Sequence, residues 1–148
     1  MTRAAAVVVA MVAACSSSKD PGGVRAYRDK SIQIEAKLEL NLIGKNAKVA
    51  WAEQGTFPVG DTGLTPATPC CAGPEHKCPI DPAAWGNPLW QALDVEAMEP
   101  MRFQYRYQSD GKTFTATAVG DPGCDGDPIT LTATGAIVDG NATVTLPP

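Results

Sequence analysis

The segment IQIEAKLELNLIGKNAKVAWAEQGTFP, Ile32 to Pro58, contains the clearest periodicity in the chain. Leu38, Leu42, Ala47, Ala50 and Trp51, with Ile34 and Ile43 beside them, recur at steps of three and four residues. Glu35, Lys37, Glu39, Lys45, Lys48 and Glu53 largely take the other side. Apolar residues so spaced form one face of an α-helix. Ile32, Ile34, Leu38, Leu40 and Leu42 also sit at alternate positions, as in a strand, but the length of the run and its Glu, Lys, Leu and Ala content favour helix. From Val24 to Gln54 there is no proline and a single glycine, Gly44. The spacing therefore predicts one long amphipathic helix over 24–54, with Gly55 closing it in the left-handed region and Pro58 blocking any continuation.

Beyond the helix, residues 56–100 hold most of the prolines, Cys70, Cys71 and Cys78, and Trp85 and Trp90. A loop of this length needs staples. One or two helical turns are expected, either from Asp81 as cap with Pro82 at the first position and running through Trp85, or restarting at Asn87-Pro88 and running to Leu93. Trp85, Trp90 and Leu93 offer an apolar patch. After Pro100 the period becomes two. Phe103, Tyr105 and Tyr107 alternate with Arg102, Gln104 and Arg106, a two-residue Asp110-Gly111 turn follows, and Thr113 to Val119 reads as a second strand. Two more strands fit at Ile129 to Ile137 and Ala142 to Leu146, joined at Asp139-Gly140-Asn141. The plan is α+β: a long N-terminal helix packed on a roughly four-stranded antiparallel sheet, with a cysteine-bearing loop between them.

The N-terminal MTRAAAVVVAMVAA has one positive charge, Arg3, and then a short apolar run. A bilayer-spanning helix needs about 20 apolar residues, so this run suits the apolar core of a secretory signal instead. Val12-Ala13-Ala14-Cys15 has the form of a lipobox, in which small residues admit a peptidase and the Cys15 thiol takes a diacylglycerol group. The expected division is a signal peptide at 1–14, a flexible polar tether at 15–23 and a folded domain at 24–148. Two acyl chains on Cys15, and a third on its amine, hold a protein stably on a membrane at about 0.8 kcal/mol per buried methylene. Ser16 after the cysteine suits the outer membrane. The net charge of −4 and the lack of any basic run argue against nucleic acid as a partner.

Cys70, Cys71, Cys78 and Cys124 form an even set in an exported chain, which predicts two disulfides. A bridge between the adjacent Cys70 and Cys71 would force a strained ring, so one of them pairs with Cys78 and the other with Cys124. Oxidation and the adjacent cysteines weigh against a zinc site built with His76. His76 is the only histidine, and no Ser/His/Asp or Cys/His arrangement forms around it. The chain therefore reads as non-enzymatic, with no cofactor required. In the loop GDPGCDGD, Asp121, Asp125 and Asp127 are the candidate ligands for a calcium ion, although glycine occupies the third position of the D-x-D-x-D ladder and no bidentate glutamate follows. Phe103, Tyr105 and Tyr107 read as the core face of the sheet in preference to a ligand platform.

The helix end LNLIGKNAKVAWAEQGTFP resembles the point where the helix of type IV pilins and type II secretion pseudopilins gives way to their loop. Further on, Thr65-Pro66, Cys70-Cys71, Lys77-Cys78, Asp81-Pro82-Ala83-Ala84-Trp85, Pro88 and Trp90-Gln91-Ala92-Leu93 resemble a loop carried by pilin-like proteins of deltaproteobacteria. The similarity spans roughly Ile34 to Gly135. It implies a pilin-like domain with a structural or interaction role beside type IV pilus or secretion machinery. Some pseudopilins also bind calcium near the position of the acidic loop. Pilins carry a leader cut before phenylalanine, a glutamate five residues into the mature chain and an unbroken apolar half-helix; here Cys15 and a polar tether stand in their place. The expectation is thus a lipid-anchored envelope protein, the alternative being a small envelope module that holds a cation such as calcium or a small ligand.

Overall fold

The computed structural model describes residues 23–148; the signal segment 1–14, Cys15 and the tether up to Gly22 lie outside the described residues. Helix α1 spans Gly23–Gln54, starting one residue before the expected boundary. It stops where the sequence predicts: Gly55 has φ 75° and its N–H donates to Trp51 O at 2.7 Å. The five strands β1 Gly60–Asp61, β2 Gln104–Ser109, β3 Thr113–Gly120, β4 Ile129–Val138 and β5 Asn141–Thr145 form one antiparallel sheet in chain order. The four expected strands are present. The fifth, β1, is a two-residue edge strand pairing Gly60 with Ser109 and Asp61 with Gln108, too short to leave a periodic signal.

Of the two proposed helix starts in the loop, Asn87-Pro88 makes the helix. Helix α2 spans Pro88–Ala92, and Asn87 Oδ1 accepts from Leu89 N at 2.9 Å as its cap. Asp81-Pro82 makes a turn, with Ala84 N donating to Asp81 O at 3.1 Å. The β4–β5 connection is a two-residue turn, with Asp139 and Gly140 both at positive φ. The β2–β3 connection differs from expectation, placing three residues between the strands instead of two. Asp110 Oδ1 accepts from Lys112 N at 2.9 Å and Thr113 N at 2.7 Å, a local closure that competes with the tighter turn.

The helix face is the main departure from the sequence reading. Ile43, Ala47 and Ala50 face the sheet as expected, but Ile34, Leu38 and Leu42, expected beside them, are 55%, 65% and 39% exposed. The buried face is Ala36, Leu40, Ile43, Ala47 and Ala50, while Trp51 is half-buried. The sheet explains the choice. Its inward residues beneath the helix are Ala116 and Ala118 on β3, Ala133 on β4 and Ala142 on β5, all buried. A floor of methyl groups lets the backbone of α1 approach closely, and Gly44 faces Val144 so tightly that an added Cβ would sit 2.8 Å from Val144 Cγ1. Glu39 lies at the margin of this seam with Oε1 buried and unpaired. Burial, and next the neighbouring Glu35, push its carboxyl above the usual range.

Large side chains fill the remaining volume. Phe103, Tyr105 and Tyr107 are fully buried, as their alternation predicts. Phe114 meets Phe57 edge-on at 5.0 Å and stacks on Tyr107 at 5.4 Å. The inner position opposite Phe114 on β4 is Gly135, over which the phenyl ring lies.

Gly135→Ala places a methyl group inside that ring's volume. It should destabilise the fold by about 1–3 kcal/mol in urea titration, whereas Thr134→Ala on the exposed face should change it by no more than about 0.5 kcal/mol. A raised carboxyl pKa favours the folded state only while the acid is neutral, so this contribution is present below the unfolded pKa and is lost as pH rises through the folded value. Glu39→Gln should therefore raise the melting temperature at pH 7 and lose that advantage in acid, measured by thermal unfolding across pH.

Candidate functional site

Four cysteines gather the loops at one end of the sheet. Cys70 is bonded to Cys78 and Cys71 to Cys124, which settles the pairing that the sequence left open. The first bridge closes a separation of 8 residues around two short 3₁₀ turns, Cys70–Ala72 and Pro74–His76. The second spans 53 residues and joins that knot to the acidic loop between β3 and β4. Antiparallel bridges carry the rest of the loop along the sheet: Cys78 exchanges backbone hydrogen bonds with Met101 at 2.7 and 3.1 Å, and Thr65 does so with Tyr105 at 2.7 and 2.8 Å. Trp90 Nε1 donates to Thr65 Oγ1 at 2.9 Å, and Trp85 packs on Trp90 at 5.1 Å.

Asp121, Asp125 and Asp127, the expected calcium ligands, border one cleft of about 350 Å³ with Asp29 of α1. Asp121 closes its own loop: its carboxylate accepts from Asp125 N at 3.3 Å and from Gly126 N at 2.7 Å. Gly126 at φ 93° turns its N–H back toward that carboxylate. Among the described residues, no group of three or more His, Cys, Asp or Glu side chains converges to hold a metal ion. The sulfurs of Cys70, Cys71, Cys78 and Cys124 are engaged in disulfides, and exposed His76 faces Cys71 O with Nδ1 at 3.4 Å. What this end of the molecule provides is a covalently fixed, acidic surface.

Several polar contacts that position these parts have no sequence signature. Asn46 Nδ2 donates to Leu93 O at 2.8 Å and Asp94 O at 3.3 Å, tying α1 to the end of α2. Glu35 Oε1 accepts from Arg102 N at 2.6 Å. Arg106 grips Asp61 with two hydrogen bonds, Nε to Oδ1 at 2.9 Å and Nη2 to Oδ2, and this fork holds the Asp61 carboxyl down at about 2. Each joins residues more than 40 positions apart in the chain.

No protein-family model, curated protein or solved structure matches the chain. The functional reading therefore rests on the molecule's own residues.

The two bridges should differ in their contribution. On the loop-closure relation, removing Cys71–Cys124 by a double serine substitution should cost ~4 kcal/mol and removing Cys70–Cys78 ~2.5 kcal/mol, measured by denaturant unfolding without reductant.

Proposed function

We propose that this chain is an exported lipoprotein of the cell envelope, held on the outer membrane by acyl chains on Cys15. Its pilin-like domain has a structural or interaction role beside type IV pilus or type II secretion machinery and performs no chemical reaction. The observation that carries the reading is architectural. One long helix lies on an antiparallel meander and gives way through Gly55-Thr56-Phe57-Pro58 to a cystine-bearing loop, the order found in the pilins that the sequence resembles. The two cystines suit an oxidising compartment, as export requires. Among the described residues no helix is long and apolar enough to cross a membrane, and acyl chains are the attachment this reading assigns. The calcium-holding alternative has less support, because among the described residues no three His, Cys, Asp or Glu side chains converge on one point.

Cys15→Ser should move the protein from the membrane to the soluble fraction and abolish incorporation of labelled palmitate. Mass spectrometry of the native protein should place the acyl groups on Cys15. A membrane-bound Cys15→Ser protein, or an unmodified Cys15 thiol, would overturn the reading.

A further inference from the structure

Helix α1 has two apolar faces, and the fold uses one of them. Opposite the buried face, Val24, Tyr27, Ile34, Leu38, Leu42 and Val49 stand in water, with exposures from 39% at Leu42 to 75% at Tyr27. At about 100° per residue, all six fall within roughly a quarter of the helix circumference, and Ser31, Lys45 and Ala52 complete the strip. Single exposed apolar residues are ordinary, but a continuous strip marks a contact surface. At its N-terminal end, Val24, Ala26, Tyr27, Arg28 and Lys30 are all exposed. So short a length of helix is marginal in water without packing, so a partner along this face would supply support that the described fold does not.

The charges bordering the strip identify the partner. Along one border lie Arg28, Glu35, Glu39 and Glu53; along the other lie Lys30, Lys37, Asn41 and Lys48. An anionic lipid surface would favour lysines on both sides, and here one side is predominantly acidic. A second copy placed antiparallel would set acid against acid and lysine against lysine. A second copy placed parallel, about a two-fold axis running along the helices, sets each acidic border against a basic one. In that arrangement Lys30 faces Glu35 of the second copy and Lys48 faces its Glu53, each five residues on, the relation that flanks the seam of a parallel coiled coil. Ser31, Ile34 and Leu38 then meet their own counterparts, as does Lys45, whose long flexible stem lets its ammonium reach out of the seam into water. The four-residue steps from Ile34 to Leu38 to Leu42 are a stutter, which locally unwinds the supercoil without breaking the seam. The link to Arg102 already holds Glu35 at its border, with its side chain 30% exposed.

We propose that two copies of this chain pair in parallel through the outer face of α1. The pairing deepens the interaction reading by naming a partner, and it rests on that reading but not on the lipid. Parallel helices place both N-termini at one end, which suits two anchors in one membrane.

The test uses the full chain carrying Cys15→Ser, which removes the acylation site and the one cysteine outside the bridges. Sedimentation equilibrium at micromolar concentrations should report a dimer. Ile34→Glu with Leu38→Glu should give a monomer with an unchanged near-ultraviolet circular dichroism spectrum, because both positions are exposed. Lys48→Glu should weaken the dimer about tenfold, and adding Glu53→Lys should restore it by reversing both members of the pair. Ser31→Cys, and separately Leu42→Cys, should each form a disulfide-linked dimer under mild oxidation, since both positions meet their own counterparts in the parallel arrangement, whereas an antiparallel pair brings at most one of them together. A monomer throughout overturns the proposal, whether or not it binds vesicles of anionic phospholipid. So does a dimer that survives the double glutamate substitution, one that the charge swap fails to restore, or one that Ser31→Cys and Leu42→Cys do not both cross-link. Failure of the anchor would appear in the membrane fractionation, the palmitate labelling and the mass spectrometry and not in the oligomeric state, so the two proposals fall separately.

Discussion

The close seating of an alanine face of α1 on an alanine floor of the sheet is the constraint from which the rest of the domain follows. Ala36, Ala47 and Ala50 on the helix oppose a sheet whose inner positions beneath it are Ala116, Ala118, Ala133 and Ala142. Small side chains bring the two layers together but bury little apolar area per residue. The larger contribution has to come from the periphery. It does so in Phe57, Phe114 and Tyr107 near one hairpin and in Trp85, Trp90 and Tyr105 under the loop. The loop is therefore part of the core, which gives its two cystines a structural purpose: they hold in place a segment with little regular structure of its own.

Much of this architecture was legible in the sequence because it rests on local rules. Gly55 and Pro58 end the helix, Asn87-Pro88 starts another, and period-two alternation gives the strands from Gln104 onward. Ring strain between adjacent cysteines leaves only pairings that use both Cys78 and Cys124, and the structure selects one of them. What was not legible depends on partners distant in the chain. The two residues of β1 are held by β2, and their anchoring fork, Arg106 on Asp61, leaves no periodic trace. The β2–β3 turn is longer than its Asp-Gly pair suggests because a side-chain oxygen closes it.

The acidic loop shows the same limit at the level of a site. Its spacing of aspartates suggests ligands, yet where each carboxylate points is set by the N–H groups around it, which the spacing does not reveal. Gly126 and Asp125 turn theirs onto Asp121. The Cys71–Cys124 bridge fixes the loop in this form from outside, through a cysteine that lies among the aspartates themselves.

The helix face, read correctly at Ile43, Ala47 and Ala50 but not at Ile34, Leu38 and Leu42, shows why one element read alone misleads. By hydrophobicity, Leu38 and Leu42 outrank Ala36, and a rule that buries the most apolar stripe selects the leucines. Setting that stripe on Ala116, Ala118 and Ala133 would hold the helix away from the sheet and leave gaps on either side of each leucine, because cores are packed at crystal-like density. Alanine against alanine closes those gaps, with Leu40 and Ile43 filling the wider parts of the seam. The sheet's own composition, Phe-Thr-Ala-Thr-Ala on β3 and Leu-Thr-Ala-Thr-Gly on β4, already specifies a partner of small residues. Read as a pair, helix and sheet identify the buried face, and the same pairing leaves the leucine stripe without an intramolecular role.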